Sequence, residues 1–185
     1  MIVIVGLATL GAYLFLRAPT PQPSGNYWIE AIGGEDKTKQ NYAPSVIVVD
    51  DGYVAIGYSS SFGAGDLDYL VVKLDENGGL IWSKTIGGPG EDRAYTVEHT
   101  TDGGYFVAGY TTRPQTGKDF LVVKLKADGT LDWSKTIGTL ADDVGYSSRQ
   151  TPDGGYIVVG ATEMDNEVSG RDVLAVKLRE NGALE

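Results

Sequence analysis

Apolar residues in this chain come in short runs separated by Gly- and Asp-rich turns, and the runs return in the same order about every fifty residues. In the middle unit they occupy residues 80–86, 94–100, 105–111 and 119–125. Asp102-Gly103-Gly104 separates the second from the third, and Ala127-Asp128-Gly129 leads into the next unit, supplying the positive φ of tight connections. Four short strands per unit are predicted, paired as antiparallel meanders. No segment after residue 26 carries the i, i+3, i+4, i+7 spacing of an amphipathic helix, so the class is all-β. The runs Leu70-Val71-Val72, Leu121-Val122-Val123 and Val173-Leu174-Ala175-Val176 are continuously apolar, which predicts strands covered on both faces, as when sheets stack face to face. A two-sheet sandwich, which buries one face per strand, ranks second.

The repetition is literal in places. Trp82-Ser83-Lys84-Thr85-Ile86-Gly87 returns as Trp133-Ser134-Lys135-Thr136-Ile137-Gly138, and residues 27–34 around Trp28 are a worn copy. Three units follow, with twelve strands expected in three four-stranded sheets near residues 35–86, 91–137 and 142–185, plus a Trp28 strand. Ahead of them, Ile2 to Leu16 is free of charged, Asn, Gln and Pro residues. Residues 1–17 are therefore expected to form an apolar helix that anchors the chain in a membrane or directs its export, and residues 18–26 a Pro-rich linker. The repeat domain, residues 27–185, is expected outside the cytoplasm.

The succession Trp-Ser-Lys-Thr-Ile-Gly-Gly, a Tyr-bearing strand, Asp-Gly-Gly-Tyr, Gly-Tyr-Thr and Asp-Phe-Leu-Val-Val-Lys-Leu resembles the β-propeller repeats of secreted or membrane-attached prokaryotic proteins, especially archaeal ones. The resemblance spans residues 27–185 and implies four-stranded blades and a surface location, with no catalytic motif to carry over. Propellers close with four to eight blades, and strands for about three are present. A part of a larger surface propeller, an open arc, and a ring completed by head-to-tail pairing with a second copy are the three expectations.

Composition narrows the partners. A net charge of -10 disfavours nucleic acid, and the absence of cysteine removes disulfides and thiolate chemistry. His99 is the sole histidine, so the serines of Tyr146-Ser147-Ser148-Arg149 have no second histidine to form a triad. Gly63-Ala64-Gly65 and Gly87-Gly88-Pro89-Gly90 lack the helix a phosphate loop needs. Glu35 and Asp36, Glu91 and Asp92, Asp142 and Asp143, with Asp66 and Asp68, offer the oxygens calcium takes, in no diagnostic spacing; no other cofactor is indicated. Trp28, Trp82 and Trp133, with Asp68, Asp119 and Asp172, recur in each unit. They read first as wedges and strand-entry acceptors, with Lys73, Lys124 and Lys177 at the strand ends, and second as a lectin-like set of one aromatic and one carboxylate per unit. The function expected is a non-catalytic module binding a protein or a glycan. The alternative is a piece of a larger propeller with carbohydrate-binding or hydrolase activity.

Overall fold

A computed structural model describes residues 31–33, 39–163 and 170–185, together with the backbone of two short strands at residues 4–5 and 14–16. Those two, β1 (Ile4–Val5) and β2 (Leu14–Leu16), join β3 (Ile32–Gly33) in a small antiparallel sheet. The first large sheet is β4 (Asn41–Val49), β5 (Gly52–Ser59), β6 (Asp68–Leu74) and β7 (Leu80–Ile86). The second is β8 (Asp92–His99), β9 (Tyr105–Arg113), β10 (Gly117–Leu125) and β11 (Leu131–Ile137). The third is β12 (Asp143–Gln150), β13 (Tyr156–Thr162) and β14 (Asp172–Leu178). Neighbours in each sheet are consecutive and antiparallel, the meander that tight turns impose.

Two expectations change. The apolar helix expected over residues 1–17 is not formed at the described positions, which are strands: Ile4 and Val5 are β-branched, Phe15 is aromatic, and β3 offers backbone partners to β2. Among the described residues no helix is long and apolar enough to cross a membrane. Second, the third sheet has three strands, its expected fourth reduced to a single bridge between Leu178 and Leu184. The described part of the residue 27–33 strand pairs with the amino-terminal segment, Leu16 opposite Ile32. Trp28, Glu35, Asp36 and the linker over residues 18–26 lie outside the described residues.

The large sheets stack, and the continuous apolar runs explain how. Because side chains alternate along a strand, β10 sends Leu121, Val123 and Leu125 to one side and Phe120 and Val122 to the other. The first set packs with Val54, Ile56, Tyr69, Val71 and Trp82 of the first sheet; the second packs with Tyr156, Val158, Val176 and Leu178 of the third. The middle sheet is thus covered on both faces, the expected role of Leu121-Val122-Val123. The Tyr69 hydroxyl crosses the first interface to donate to the Leu121 carbonyl at 2.8 Å, meeting the need of a buried phenol. On the far side of the first sheet Leu70, Val72 and Leu74 are buried against Ile32, Phe62 and Leu80.

Candidate binding surface

The residues that recur in every unit sit at the joints. Trp82 is 9% exposed, its ring lying over Gly129 in the β10–β11 turn of the next sheet, where a Cβ would stand 2.9 Å from the indole. Trp133, half-buried, repeats this over Gly182, where a Cβ would stand 2.8 Å away. Both glycines have positive φ, 77° and 78°, so turn and wedge require glycine for two reasons at once. Asp68 and Asp119 are buried at their strand entries. Asp68 accepts from the Gly65 amide at 3.1 Å and Asp119 from the Thr116 hydroxyl at 2.6 Å. Asp172, the third of the set, is exposed. Trp82 and Trp133 belong to different interfaces, and Asp68 stands with Asp92 beside Gly87 whereas Asp119 stands with Asp143 beside Gly138; the structure does not bring the set together on one surface.

The lysines find partners that their own strands do not supply. Lys73, Lys124 and Lys177 each bind the aspartate of the preceding Asp-Gly turn: Lys73 to Asp51, Lys124 to Asp102 at 2.8 Å and Lys177 to Asp153 at 2.8 Å. Burial works against the Asp102 carboxylate, yet hydrogen bonds from Lys124 and Thr100 outweigh it and draw the group down to about 2. The acidic pairs are engaged elsewhere. Asp92 accepts from the Gly88 amide at 2.8 Å, Asp143 from the Thr139 amide at 2.5 Å, Glu91 pairs with Arg93 at 3.2 Å and Asp142 with Lys118 at 3.8 Å. Among the described residues no three His, Asp or Glu side chains gather where they could hold a metal ion. Burial raises Asp68 and Asp92 above the usual carboxylate range.

A row of tyrosines draws on all three large sheets. The edge strands β4, β8 and β12 lie side by side, and each is broken by a register shift: between Tyr42 and Ser45, between Ala94 and Thr96, and between Gly145 and Ser147. Tyr95 and Tyr146 are the extra residues of the second and third bulges and have no ladder partner, so the bulge turns each side chain out of the alternation. Opposite the second bulge is Gly109, where any Cβ would run into the Arg93 carbonyl and the Tyr69 hydroxyl. The glycine lets the bulged strand approach.

The rings that result are close neighbours. Tyr42 stands 5.5 Å from Tyr58, the Arg93 guanidinium lies 4.8 Å above the Tyr58 ring, and Tyr95 is 5.5 Å from Tyr146 and 6.1 Å from Tyr110. Such spacings suit tilted aromatic contacts and cation–π pairs. Tyr110 is buried beneath the row, its hydroxyl donating to Glu91 at 3.2 Å while the Lys118 ammonium caps its ring at 5.2 Å. Burial raises the phenols of Tyr95 and Tyr110, so both are neutral donors near neutral pH. Tyr42 and Tyr146 remain 57% and 48% exposed. Beside the row opens a shallow hollow of roughly 350 Å3 between Lys39, Gln40, Ser60, Asp66, Glu91 and Arg93.

Sequence reasoning picked out the tryptophans and passed over the tyrosines. The signal was present, since Tyr95 and Tyr146 follow Asp92 and Asp143 at the same interval. It was masked because an aromatic residue in a strand reads as core unless the bulge beside it is known. No family model matches the chain, and no curated protein matches it either.

Proposed function

We propose that the chain is a non-catalytic binding module of β-propeller type, displayed outside the cytoplasm by its apolar amino-terminal segment, and that its tyrosine row binds a neutral glycan. The propeller reading is supported by antiparallel meanders of four, four and three strands that stack face to face with their first strands adjacent, the relation blades have around an axis. The observation that carries the ligand reading is the pair of bulges that set Tyr95 and Tyr146 beside Tyr58 and Tyr42 across three sheets. Tyrosine rings present flat apolar area at low conformational cost and a hydroxyl at the rim, which suits the C–H faces and hydroxyl edges of sugar rings. A neutral ligand fits better than an anionic one, because Arg93 and Lys118 are already paired with Glu91 and Asp142 and the chain carries -10. The buried carboxylates Asp68, Asp92 and Asp143 accept hydrogen bonds from their own loops, an arrangement that favours binding over hydrolysis.

Affinity electrophoresis against soluble glucans, mannans and galactans tests the reading. Retardation by at least one of them is expected, weakened about tenfold in Tyr146→Ala and Tyr42→Ala without a change in melting temperature, since truncating an exposed side chain costs little stability. Retention unaffected by either substitution, or absent with every polysaccharide, would remove the tyrosine row from the function. Recovery of the full chain with membranes or in the medium checks its proposed location.

A further inference from the structure

Two joints of the stack bury the same unbalanced charge. Asp68 opens β6 in the first sheet and Asp92 opens β8 in the second, and a Cβ on Gly87 would collide with a carboxylate oxygen of each. One sheet further on, Asp119 near the start of β10 and Asp143 at the start of β12 converge on Gly138 in the same way. Neither glycine has a positive φ, so these positions call for room beside the carboxylates and not for a special backbone. The four aspartates are at most 3% exposed. Among the described residues the one cation paired with any of them is Arg113, itself half-exposed, 3.8 Å from Asp119 Oδ2. Burial of Asp92 outweighs the help of the Thr111 hydroxyl and the Gly88 amide, and Asp68 adds repulsion. The same atom is left over at both joints: Oδ1 of Asp92 and Oδ1 of Asp143 are buried without a hydrogen-bond partner. At the second joint the Thr162 hydroxyl, 3% exposed and opposite Asp143 in the ladder, is also buried without one. Buried oxygens are normally hydrogen-bonded, and buried charges are normally paired or bound to a metal ion.

We infer that each joint holds a calcium ion, bridging Asp68 to Asp92 and Asp119 to Asp143. Oxygen ligands without a histidine or thiolate select calcium over zinc, and calcium accepts irregular oxygen sets where magnesium demands a near-ideal octahedron. Two carboxylates, not three, meet at each joint, so a shell of roughly six to eight oxygens needs neutral ligands and water as well. Such ligands are at hand. The Gly65 amide donates to Asp68, and a Cβ on Gly65 would collide with the carbonyls of Gly88 and Gly90. Thr162 offers its hydroxyl at the second joint. Each ion ties one large sheet to the next where the connecting loop crosses between them. Neither joint includes a tyrosine of the row, so the glycan reading and the calcium reading fail separately.

Calcium titration of the full-length protein after EDTA treatment tests this. Isothermal titration calorimetry is expected to find two ions bound per chain, and calcium is expected to raise the melting temperature by about 5 °C. Asp92→Asn and Asp143→Asn should each bind one ion fewer. Asp66→Asn, which removes an exposed carboxylate two residues from Asp68, should keep both. The sign of the Asp92→Asn effect separates a lost ion from a misfolded variant. In EDTA the substitution removes a bare buried charge and should raise the melting temperature above the parent's; in calcium it should leave the variant below the parent. Melting indifferent to calcium, an unchanged stoichiometry in both variants, or an equal loss in Asp66→Asn, the mark of loose binding to an acidic surface, would each overturn the inference.

Discussion

Asp51, Asp102 and Asp153 do two jobs with one carboxylate: they shape the Asp-Gly turn and neutralise a lysine whose stem is sunk in the sheet. Lys73 and Lys124 are only 2% exposed, so removing the aspartate strands an ammonium with little access to water. Asp102→Asn is expected to cost about 1–2 kcal/mol, near the lower end for a hydrogen bond to a charged group because the Asp102 side chain is itself half in solvent. Its pH signature follows from the lowered carboxyl. The contribution is complete above the ordinary value of 3.8 and is lost as pH falls toward about 2. Asp68 and Asp92 have the opposite sign: with their carboxyls raised by burial, the folded state holds protons more tightly, so their effect on stability improves as pH falls from neutral toward 3.8. Asp92→Asn should therefore raise stability at neutral pH, where the buried charge is most costly, and flatten the profile on its acid side, while Asp102→Asn shifts the whole neutral plateau down. Urea unfolding of both variants from pH 3 to 7 separates the two.

At the level of strands and turns, the tryptophan wedges couple one sheet to the next. Trp82 fits between its own sheet and the Gly129 turn, 5.8 Å from the Tyr105 ring, and Trp82→Ala is expected to lose about 3–5 kcal/mol, the range for a buried large aromatic. Trp133 sits among Phe106 and Tyr156 but is only half-buried, so Trp133→Ala should lose less; equal losses in thermal or urea unfolding would contradict the difference in packing. The strands themselves were legible in the amino-acid pattern. The expected runs 80–86 and 105–111 correspond to Leu80–Ile86 and Tyr105–Arg113, because apolar runs bounded by Asp-Gly turns leave little freedom in register. The lysine partners were not legible, since the bond joins a strand end to the turn before the preceding strand, and the Asp-to-Lys interval of 22, 22 and 24 residues is not even constant. The bulges were hidden for a similar reason. A residue added to one strand alters which way a tyrosine points without altering the composition that pattern reading relies on. The amino-terminal run shows the converse limit: hydrophobicity marked it out, but did not distinguish helix from the strands of Ile4–Val5 and Leu14–Leu16.

Across the whole molecule, burial is graded along the stack. The second sheet has a partner on both faces, and β9 and β10 contribute Phe106, Val107, Ala108, Val122, Val123 and Leu125 with no exposure at all. Among the described residues the third sheet packs on the second alone, and β14 leaves Asp172, Val173 and Ala175 open to solvent. In stacks of this kind each unit is stabilised by itself and its nearest neighbours, so the end unit opens more often than the middle one. Amide hydrogen exchange followed by mass spectrometry should find β9 and β10 slowest and β14 fastest among the large-sheet strands in dilute solution. Protection of β14 equal to that of β9 and β10 would contradict the gradient in burial.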